Sequence, residues 1–197
     1  STVAYSPSIG SKPFEQRDVE KFKELTKNFY AISCREEEGA NYISQVLDRK
    51  VTWVLDPTLL LDAIDYEKLA IKPKEKHYLL CYNCMINDSK MLYESQKLAD
   101  KLGLELIEIS IFNQNKLKYR HKVKTGIDIQ EWLGYFKYAD FIVCNAFHGC
   151  CFATIFKKQF FLFVRDDSDY RMQSITRGLG VSERLVPVEN KQIPDSF

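Results

Sequence analysis

Residues 141–156 pass from one apolar run to another through a short turn, and this pattern restricts the fold more than any other part of the chain. The run Phe141-Ile-Val-Cys144 has the length and composition of a buried strand, and the residues after Gly149 are apolar enough for a buried helix. A strand that leads directly into a helix is the building unit of parallel sheets. The stretch therefore predicts an α/β fold with His148 in a turn at the edge of a sheet.

The same alternation of strand and helix patterns recurs along the rest of the chain. Apolar runs with strand character, separated by helical patterns, lie at 3–5, 30–33, 51–55, 77–82, 104–110, 141–144 and 160–164. This alternation predicts Rossmann-like parallel sheets with helices on both faces. A lysine-rich segment around Pro73 separates the runs into two groups. We therefore predict the end of an amino-terminal half over 1–70 and a carboxy-terminal domain over 71–197.

Local signals refine the second group. Ser89 is predicted to cap one helix, and Asp128 is predicted to start another. Residues 113–125 contain many lysines and are predicted to form a polar loop.

Composition narrows the classes of function. The formal net charge is +1, with 45% hydrophobic and 28% charged residues, so the chain is globular and its charge does not indicate a nucleic-acid partner. The apolar runs are shorter than the roughly 20 residues of an integral membrane segment. The chain opens without a secretion signal, and its six cysteines fall mostly in apolar strands and helices. Reduced thiols and a cytoplasmic location are the expectation.

Cys81 and Cys84 have the CxxC spacing of half a zinc site. A structural zinc site needs four ligands, and the sequence offers no second pair at the required spacing. We therefore predict core packing for these cysteines and no metal site.

Candidate site residues lie at the carboxyl ends of the strands, where open α/β sheets bind ligands. The polar residues that follow strands there include Arg35, Asp56, Asn145, His148, Gly149, Arg165 and Arg171. A strand–turn–helix junction also offers main-chain N–H groups to an anion. Because histidine can exchange a proton near neutral pH, His148 with several arginines suits a small anion such as a phosphate ester that carries a carboxylate.

Simpler roles stay open for these residues. His148 could equally be a helix-start histidine bonded to main chain, and Arg35 could pair with the glutamates at 36–38. Asp56 precedes Pro57, which is typical of a turn residue. The 113–125 segment could be a solvated face. The chain contains no glycine-rich phosphate loop and no hydrolase triad.

Five stretches, in the right order, resemble the signature elements of the polysaccharide pyruvyl transferase family. They lie at 33–36 (Ser-Cys-Arg-Glu), 55–60 (Leu-Asp-Pro-Thr-Leu-Leu), 132–143, 145–156 with its central Phe-His-Gly, and 171–184. The chain departs from the family at Asn145-Ala146, where an aspartate and a serine are usual.

The resemblance implies two Rossmann-like halves in a GT-B-like arrangement, of which the first is incomplete because the amino-terminal portion is absent. It implies transfer of pyruvate from phosphoenolpyruvate to a sugar as a ketal, in bacterial exopolysaccharide or cell-wall polymer synthesis. The acceptor would be a glycan or a lipid-linked sugar, and no cofactor or metal would be needed. His148 and Arg35 would be catalytic. The substrate-binding residues would be Asn145, Gly149, Cys150, Arg171 and Arg165.

Two other functions fit the same residues. One is a nucleotide-sugar-dependent GT-B-type glycosyltransferase that binds its donor at 141–156. The other is a non-catalytic module that recognises anionic glycans through the basic 113–125 segment.

Overall fold

The structure is a computed structural model that describes residues 1–10, 14–84, 88–110, 121–164, 169–186, 189 and 191–194. The chain forms two units, one made of Ser1–Leu60 and Asp166–Ser182, the other of Leu61–Arg165 and Glu183–Phe197. This division differs in two places from the one we predicted at residue 70. Residues 61–70 group with the second unit, and 166–182 return to the first.

Strands and helices alternate as the apolar runs indicate. In chain order they are β1 (Thr2–Ala4), α1 (Gln16–Thr26), β2 (Phe29–Cys34), α2 (Glu37–Leu47), β3 (Thr52–Trp53), α3 (Ala63–Glu67), β4 (Tyr78–Asn83), α4 (Ser89–Leu102), β5 (Glu105–Ser110), β6 (Lys122–Lys124), α5 (Ile129–Tyr138), β7 (Phe141–Cys144), α6 (Phe147–Ile155), β8 (Phe160–Phe163), α7 (Tyr170–Leu179) and β9 (Leu185–Val186). Short 3₁₀ helices lie at Pro57–Leu60 and Ser182–Arg184.

The first unit contains a parallel sheet in the order β1-β2-β3. Its core joins the carboxyl half of β2 to the inner face of α2, through Ile32, Cys34, Ala40, Ile43 and Val51. The 11-residue α2 begins with two glutamates and ends at Asp48 in the left-handed conformation. Acidic residues in the first turn favour a helix because they face the positive end of its dipole.

The second unit contains a six-stranded parallel sheet in the order β6-β5-β4-β7-β8-β9. Every residue of β7 and β8 is buried, which explains why both read as unbroken apolar runs: strands of a parallel sheet are covered on both faces. The predicted fold class, parallel sheets with helices on both faces, is confirmed.

The strand order of the second unit locates a crevice. From β4 the chain moves to β5 on one side of the sheet and later to β7 on the other side. At such a reversal, the connections that leave the carboxyl ends of β4 and β7 run in opposite directions and leave a crevice between them. Ligands bind in this crevice in open α/β sheets. Asn83 ends β4, and Asn145 follows β7, so both lie at this reversal.

Three local predictions need correction. Residues 122–124, predicted within a polar loop, form the edge strand β6 paired with β5. The α4 helix is capped by Asp88, whose side chain accepts a hydrogen bond from the Met91 N–H, and Ser89 is its first helical residue. An aspartate one position earlier competes for the cap because its carboxylate reaches the same N–H group. β3 is only two residues long.

None of the helices in the described ranges has the length and apolar character that crossing a bilayer requires.

Candidate active site

His148 lies in the first turn of α6, directly beyond a buried strand. β7 ends at Cys144, Asn145 is buried, and Ala146 occupies the N-cap position with extended backbone. The helix then begins at Phe147, whose ring contacts the His148 ring edge-on at a centroid distance of 5.5 Å. His148 is exposed, whereas its neighbours Phe147 and Gly149 are buried. The turn thus presents an imidazole to solvent at the carboxyl edge of the sheet.

Gly149 and Cys150, both predicted to bind substrate, lie at the amino end of α6. Cys150, expected to hold phosphate, donates its main-chain N–H to the Ala146 carbonyl at 3.2 Å, and its side chain is fully buried. The Cys150 N–H is therefore already used within the helix, and Ala146 at the N-cap makes no side-chain capping bond. Cys150 belongs to the core, and the binding role of Gly149 stays a prediction.

Gly149 allows α6 to approach the sheet closely. A Cβ atom on this residue would lie 2.9 Å from Cβ and 3.0 Å from Sγ of Cys144, and 3.2 Å from Cδ1 of Tyr82. Real Cβ atoms essentially never lie within 3.0 Å of another heavy atom, and separations of 3.0–3.4 Å are rare. The glycine is therefore required by packing, and the Tyr82 ring lies against the turn that carries His148.

A chain of buried hydrogen bonds runs along the same edge of the sheet. Asn145 Nδ2 donates to Asn83 Oδ1 at 3.1 Å, and Asn83 Nδ2 donates to Glu108 Oε1 at 3.1 Å. His121 Nε2 lies 2.8 Å from Glu108 Oε2. At the other end, Asn145 Oδ1 accepts from the Cys84 N–H at 3.1 Å. We name His121, Glu108, Asn83 and Asn145 the edge network; it ties β6, β5, β4 and the β7–α6 turn together.

The edge network changes the role of Asn145. Both ends of its amide are used by protein groups, and the residue is 6% exposed. It therefore fixes the turn before His148 instead of facing solvent. Glu108 and His121 were not identified from the sequence. The signal that indicates them is a glutamate inside the apolar run at 104–110, because a fully buried carboxylate needs partners.

Arg35 lies in the first unit, directly after β2. Its Nη1 lies 2.7 Å from Asp56 Oδ2, and its Nε lies 3.5 Å from Glu36 Oε1. Both carboxylates are buried, and the guanidinium is held in place by them. Asp56 also accepts from the N–H and hydroxyl of Thr58, so it has the turn-forming role that its position before Pro57 predicts. Two negative groups around one guanidinium reduce its attraction for a further anion.

Arg171, which we expected to bind substrate, lies in the first unit together with Arg35. It is part of the first turn of α7, and its Nε lies 3.6 Å from Asp169 Oδ1. The helix is attached to α2: Ser174 Oγ donates to Glu38 Oε2 at 2.8 Å, and Arg177 contacts Glu38 Oε1 at 2.6 Å. This attachment returns the segment to the first unit.

Electrostatics strengthen the α2–α7 attachment. Burial alone would raise the pKa of Glu38, but the bonds from Arg177 and Ser174 outweigh it, so the pKa lies below its ordinary value of 4.5.

Several predicted binding residues lie outside the described part of the chain. They are Arg165 and residues 113–120 of the basic segment. The described cations of that segment are paired with carboxylates: Lys122 with Glu105 at 2.8 Å and Lys124 with Glu75 at 2.8 Å. These two lysines offer little charge to an acidic glycan.

The cysteines belong to the interior. Cys81 is fully buried in the apolar core, and burial raises its pKa to about 12. Cys84 is half-buried, and burial raises its pKa as well. In the described ranges, no group of three or more His, Cys, Asp or Glu side chains is arranged to hold a metal ion. That the reaction needs no metal stays a prediction.

The sequence pattern of one family, the polysaccharide pyruvyl transferases, matches residues 1–167, which is most of the chain. The chain belongs to the polysaccharide pyruvyl transferase family. The name of the family describes transferases that act on polysaccharide. The matched region contains both Arg35 and the His148 turn.

Similarity to other known proteins is weak. Among curated proteins, none matches the chain. Two solved structures, of the wall teichoic acid polymerase TagF and of a variant of it, are 11% and 12% identical in sequence, each with a TM-score of 0.43. Each covers 74% of this chain, and the chain spans 42% of the length of either one. A likeness at this level does not assign a function. The GT-B-like arrangement of the halves stays a prediction.

Proposed function

We propose that this member of the polysaccharide pyruvyl transferase family moves the pyruvyl group of phosphoenolpyruvate onto a sugar of a bacterial exopolysaccharide, forming a ketal. The observation that carries the proposal is the exposed imidazole of His148 in the first turn of α6, at the carboxyl edge of a parallel sheet. Membership of a pyruvyl transferase family supports it.

The chemistry needs one proton donor. The methylene carbon of phosphoenolpyruvate takes a proton from the His148 imidazolium and becomes a methyl group, which makes the neighbouring carbon electrophilic. One sugar hydroxyl bonds to that carbon, the bond to phosphate oxygen breaks, and a second hydroxyl closes the ketal. Of the two hydroxyl protons, one restores the imidazolium and one leaves with inorganic phosphate. A placed general acid contributes about 10²–10⁴ in rate.

Binding of the donor calls for groups that hold anions. We assign one charged group of phosphoenolpyruvate to the amino end of α6 at Gly149, where the positive end of the helix dipole favours an anion. Arg35 is the second catalytic candidate: Asp56 and Glu36 already hold its guanidinium, but a guanidinium has five N–H donors with which to bind a further carboxylate or phosphate. Arg171 and Arg165 are further candidates for the same task. Asn145 supports the turn through the edge network.

The remaining features of the proposal follow from the reaction. Phosphoenolpyruvate is the donor substrate, and no cofactor takes part. The acceptor is a glycan or a lipid-linked sugar, and we place the reaction in the cytoplasm, where phosphoenolpyruvate is made. Nucleic acid has no part in it.

Donor binding is tested by thermal unfolding with increasing phosphoenolpyruvate. A saturable rise in the unfolding temperature is expected for the unaltered protein, because a ligand that binds only the folded state stabilises it. The rise should be lost in His148→Asn. The matched control is His77→Asn: His77 is 85% exposed and precedes β4, at the opposite edge of the sheet. No rise in the unaltered protein, or an equal loss in both variants, would refute the donor assignment.

Turnover gives a second measurement. Release of inorganic phosphate from phosphoenolpyruvate should depend on a glycan acceptor and fall about 10²–10⁴-fold in His148→Asn. If uridine diphosphate sugars stabilise the protein and phosphoenolpyruvate does not, the protein is a glycosyltransferase instead.

A further inference from the structure

A cavity of about 450 Å³ opens in the second unit beside the carboxyl ends of β4 and β5. Tyr82, Ile109 and Ser110 line it from the two strands, and Trp132 and the 126–129 turn line it from the start of α5. Its volume lies within the roughly 300–1,000 Å³ of small-molecule sites. None of the functions assigned above uses it.

The walls of the cavity are fixed in place. Asp128 Oδ1 accepts from the Glu131 N–H at 2.7 Å, and Glu131 Oε2 accepts from the Asp128 N–H at 3.2 Å, which closes a capping box at the start of α5. Gly126 has φ +64°, a conformation that favours glycine. A cavity formed in advance binds with less loss of entropy.

Aromatic rings dominate one side. Trp132 lies edge-on to Tyr82 at 5.5 Å and to Phe152 at 5.0 Å, and its ring centre is 4.2 Å from that of Phe136. The indole is held by these three rings but is only half-buried. At the rim, the apolar side chain of Ile129 is 76% exposed. The apolar rim and ring edges suit a ligand with an apolar face.

Charge narrows the ligand class. The eight lining residues, all within the described ranges, include no Lys, Arg or His, and Asp128 is the one charged side chain among them. These eight described residues thus supply no cation for a nucleotide or another phosphate ester. Asp128 keeps lone pairs to accept hydroxyl protons while it caps α5, because a carboxylate has two oxygens. Aromatic rings with hydroxyl acceptors suit a neutral pyranose ring, whose C–H face is apolar and whose edge carries hydroxyls.

We propose that this cavity binds a neutral pyranose ring of the glycan acceptor. The Tyr82 ring connects it with the His148 turn, since Tyr82 lines the cavity and its Cδ1 lies 3.2 Å from the position of a Cβ on Gly149. The assignment of the bound pyranose to a glycan acceptor rests on the proposed pyruvyl transfer, whereas hexose binding by the cavity does not.

Tryptophan emission reports directly on the cavity. The chain has two tryptophans, so the variant Trp53→Phe leaves Trp132 as the only one. The probes are methyl glycosides of glucose, galactose and mannose, with uridine diphosphate as the nucleotide probe. We expect a saturable change of Trp132 emission with at least one hexoside in the millimolar range, and none with uridine diphosphate. Calorimetric titration of the unaltered protein should give the same affinity.

A matched pair of variants locates the binding. Ile129→Ser removes the exposed apolar rim and should weaken hexoside binding roughly 3- to 10-fold, as the loss of part of an isoleucine contact implies. Ile64→Ser makes the same change on α3, at a residue that is 62% exposed and outside the lining, and should leave binding unchanged.

Three results would overturn the proposal: no response to any hexoside up to about 100 mM, well above the weakest useful affinities; a response to uridine diphosphate alone; or equal weakening in both variants. Hexoside binding without any phosphoenolpyruvate binding would retain the cavity and refute pyruvyl transfer. Phosphoenolpyruvate binding with no hexoside response would refute the sugar-binding cavity and retain pyruvyl transfer.

Discussion

Asn145 donates a hydrogen bond from its Nδ2 to Oδ1 of Asn83, and this bond orients both amides. Asn83 cannot turn its amide around, because its own Nδ2 is held by Glu108, and a carboxylate only accepts hydrogen bonds. Position 145 must therefore provide a donor toward Asn83 and an acceptor toward the Cys84 N–H. An asparagine meets both needs, and an aspartate does not. Asn145, which replaces the usual aspartate of the family, thus fits the hydrogen-bonding groups around it.

The first prediction concerns Asn145→Asp. The variant places a carboxylate oxygen against the Asn83 carbonyl in a buried site, so the free energy of unfolding should fall by about 2 kcal/mol. Urea unfolding at neutral pH measures the change.

A second substitution in the edge network should restore part of the stability lost in Asn145→Asp. In the double variant Asn145→Asp with Glu108→Gln, the new amide can donate to Asn83 and accept from His121, which lets the Asn83 amide turn and donate to the aspartate. We expect the loss of unfolding free energy in the double variant to be smaller than the sum of the two single losses by about 1 kcal/mol or more. Simple additivity would show that the amides do not act as one network.

The second prediction concerns Gly149→Ala. Its Cβ would lie 2.9 Å from the Cys144 Cβ, so α6 must move away from β7, and the cost should be about 1–3 kcal/mol. Gly134→Ala should cost more, because a Cβ there would lie 1.7 Å from the main-chain oxygen of Ile71. Chemical denaturation of both variants gives the order. Equal stability of Gly149→Ala and the unaltered protein would show that the helix has room to move.

Most of the fold could be predicted because it depends on local patterning. Unbroken apolar runs such as Phe160–Phe163 identify buried parallel strands, and Asp128 identifies a helix start. Edge strand β6 could not be identified from Lys122-Val-Lys124, because it depends on main-chain pairing with β5 rather than on its own hydrophobicity.

The site could be predicted only in part for the same reason. The position of His148 follows from a local strand–turn–helix pattern. The partners of Asn145 come from β4 and β5, and the attachment of Ser174 to Glu38 joins residues 136 positions apart. No local pattern reports such pairings, which form only when the sheet and helices pack.

The third prediction concerns pH. The pKa of Glu38 is lower in the folded state than its ordinary value of 4.5. Its bonds to α7 therefore stabilise the fold fully at pH values above 4.5, and this contribution is lost as the pH falls through the lower pKa of the folded state. Glu38→Gln should reduce stability at pH 7 by about 1 kcal/mol. The difference from the unaltered protein should shrink as the pH falls below 4.5.

The control for this variant is Glu20→Gln, which breaks the exposed pair of Glu20 with Lys23. Exposed pairs contribute little, so its stability should stay within about 0.5 kcal/mol of the unaltered protein. A Glu38→Gln deficit that persists unchanged at acid pH would assign the effect to packing instead of charge.

The fourth prediction concerns cysteine reactivity. Burial raises the pKa of Cys81 to about 12, whereas Cys84 is the half-buried cysteine of the pair, so a thiol reagent should modify Cys84 first in the folded protein. The rate at Cys84 should increase as pH approaches and passes the ordinary thiol value of 9.0, because its own pKa is also raised. Peptide mapping after brief iodoacetamide treatment measures both, with Cys84→Ser as the control that should lose the early label. Rapid early labelling of Cys81 would show that its core opens far more easily than its burial implies.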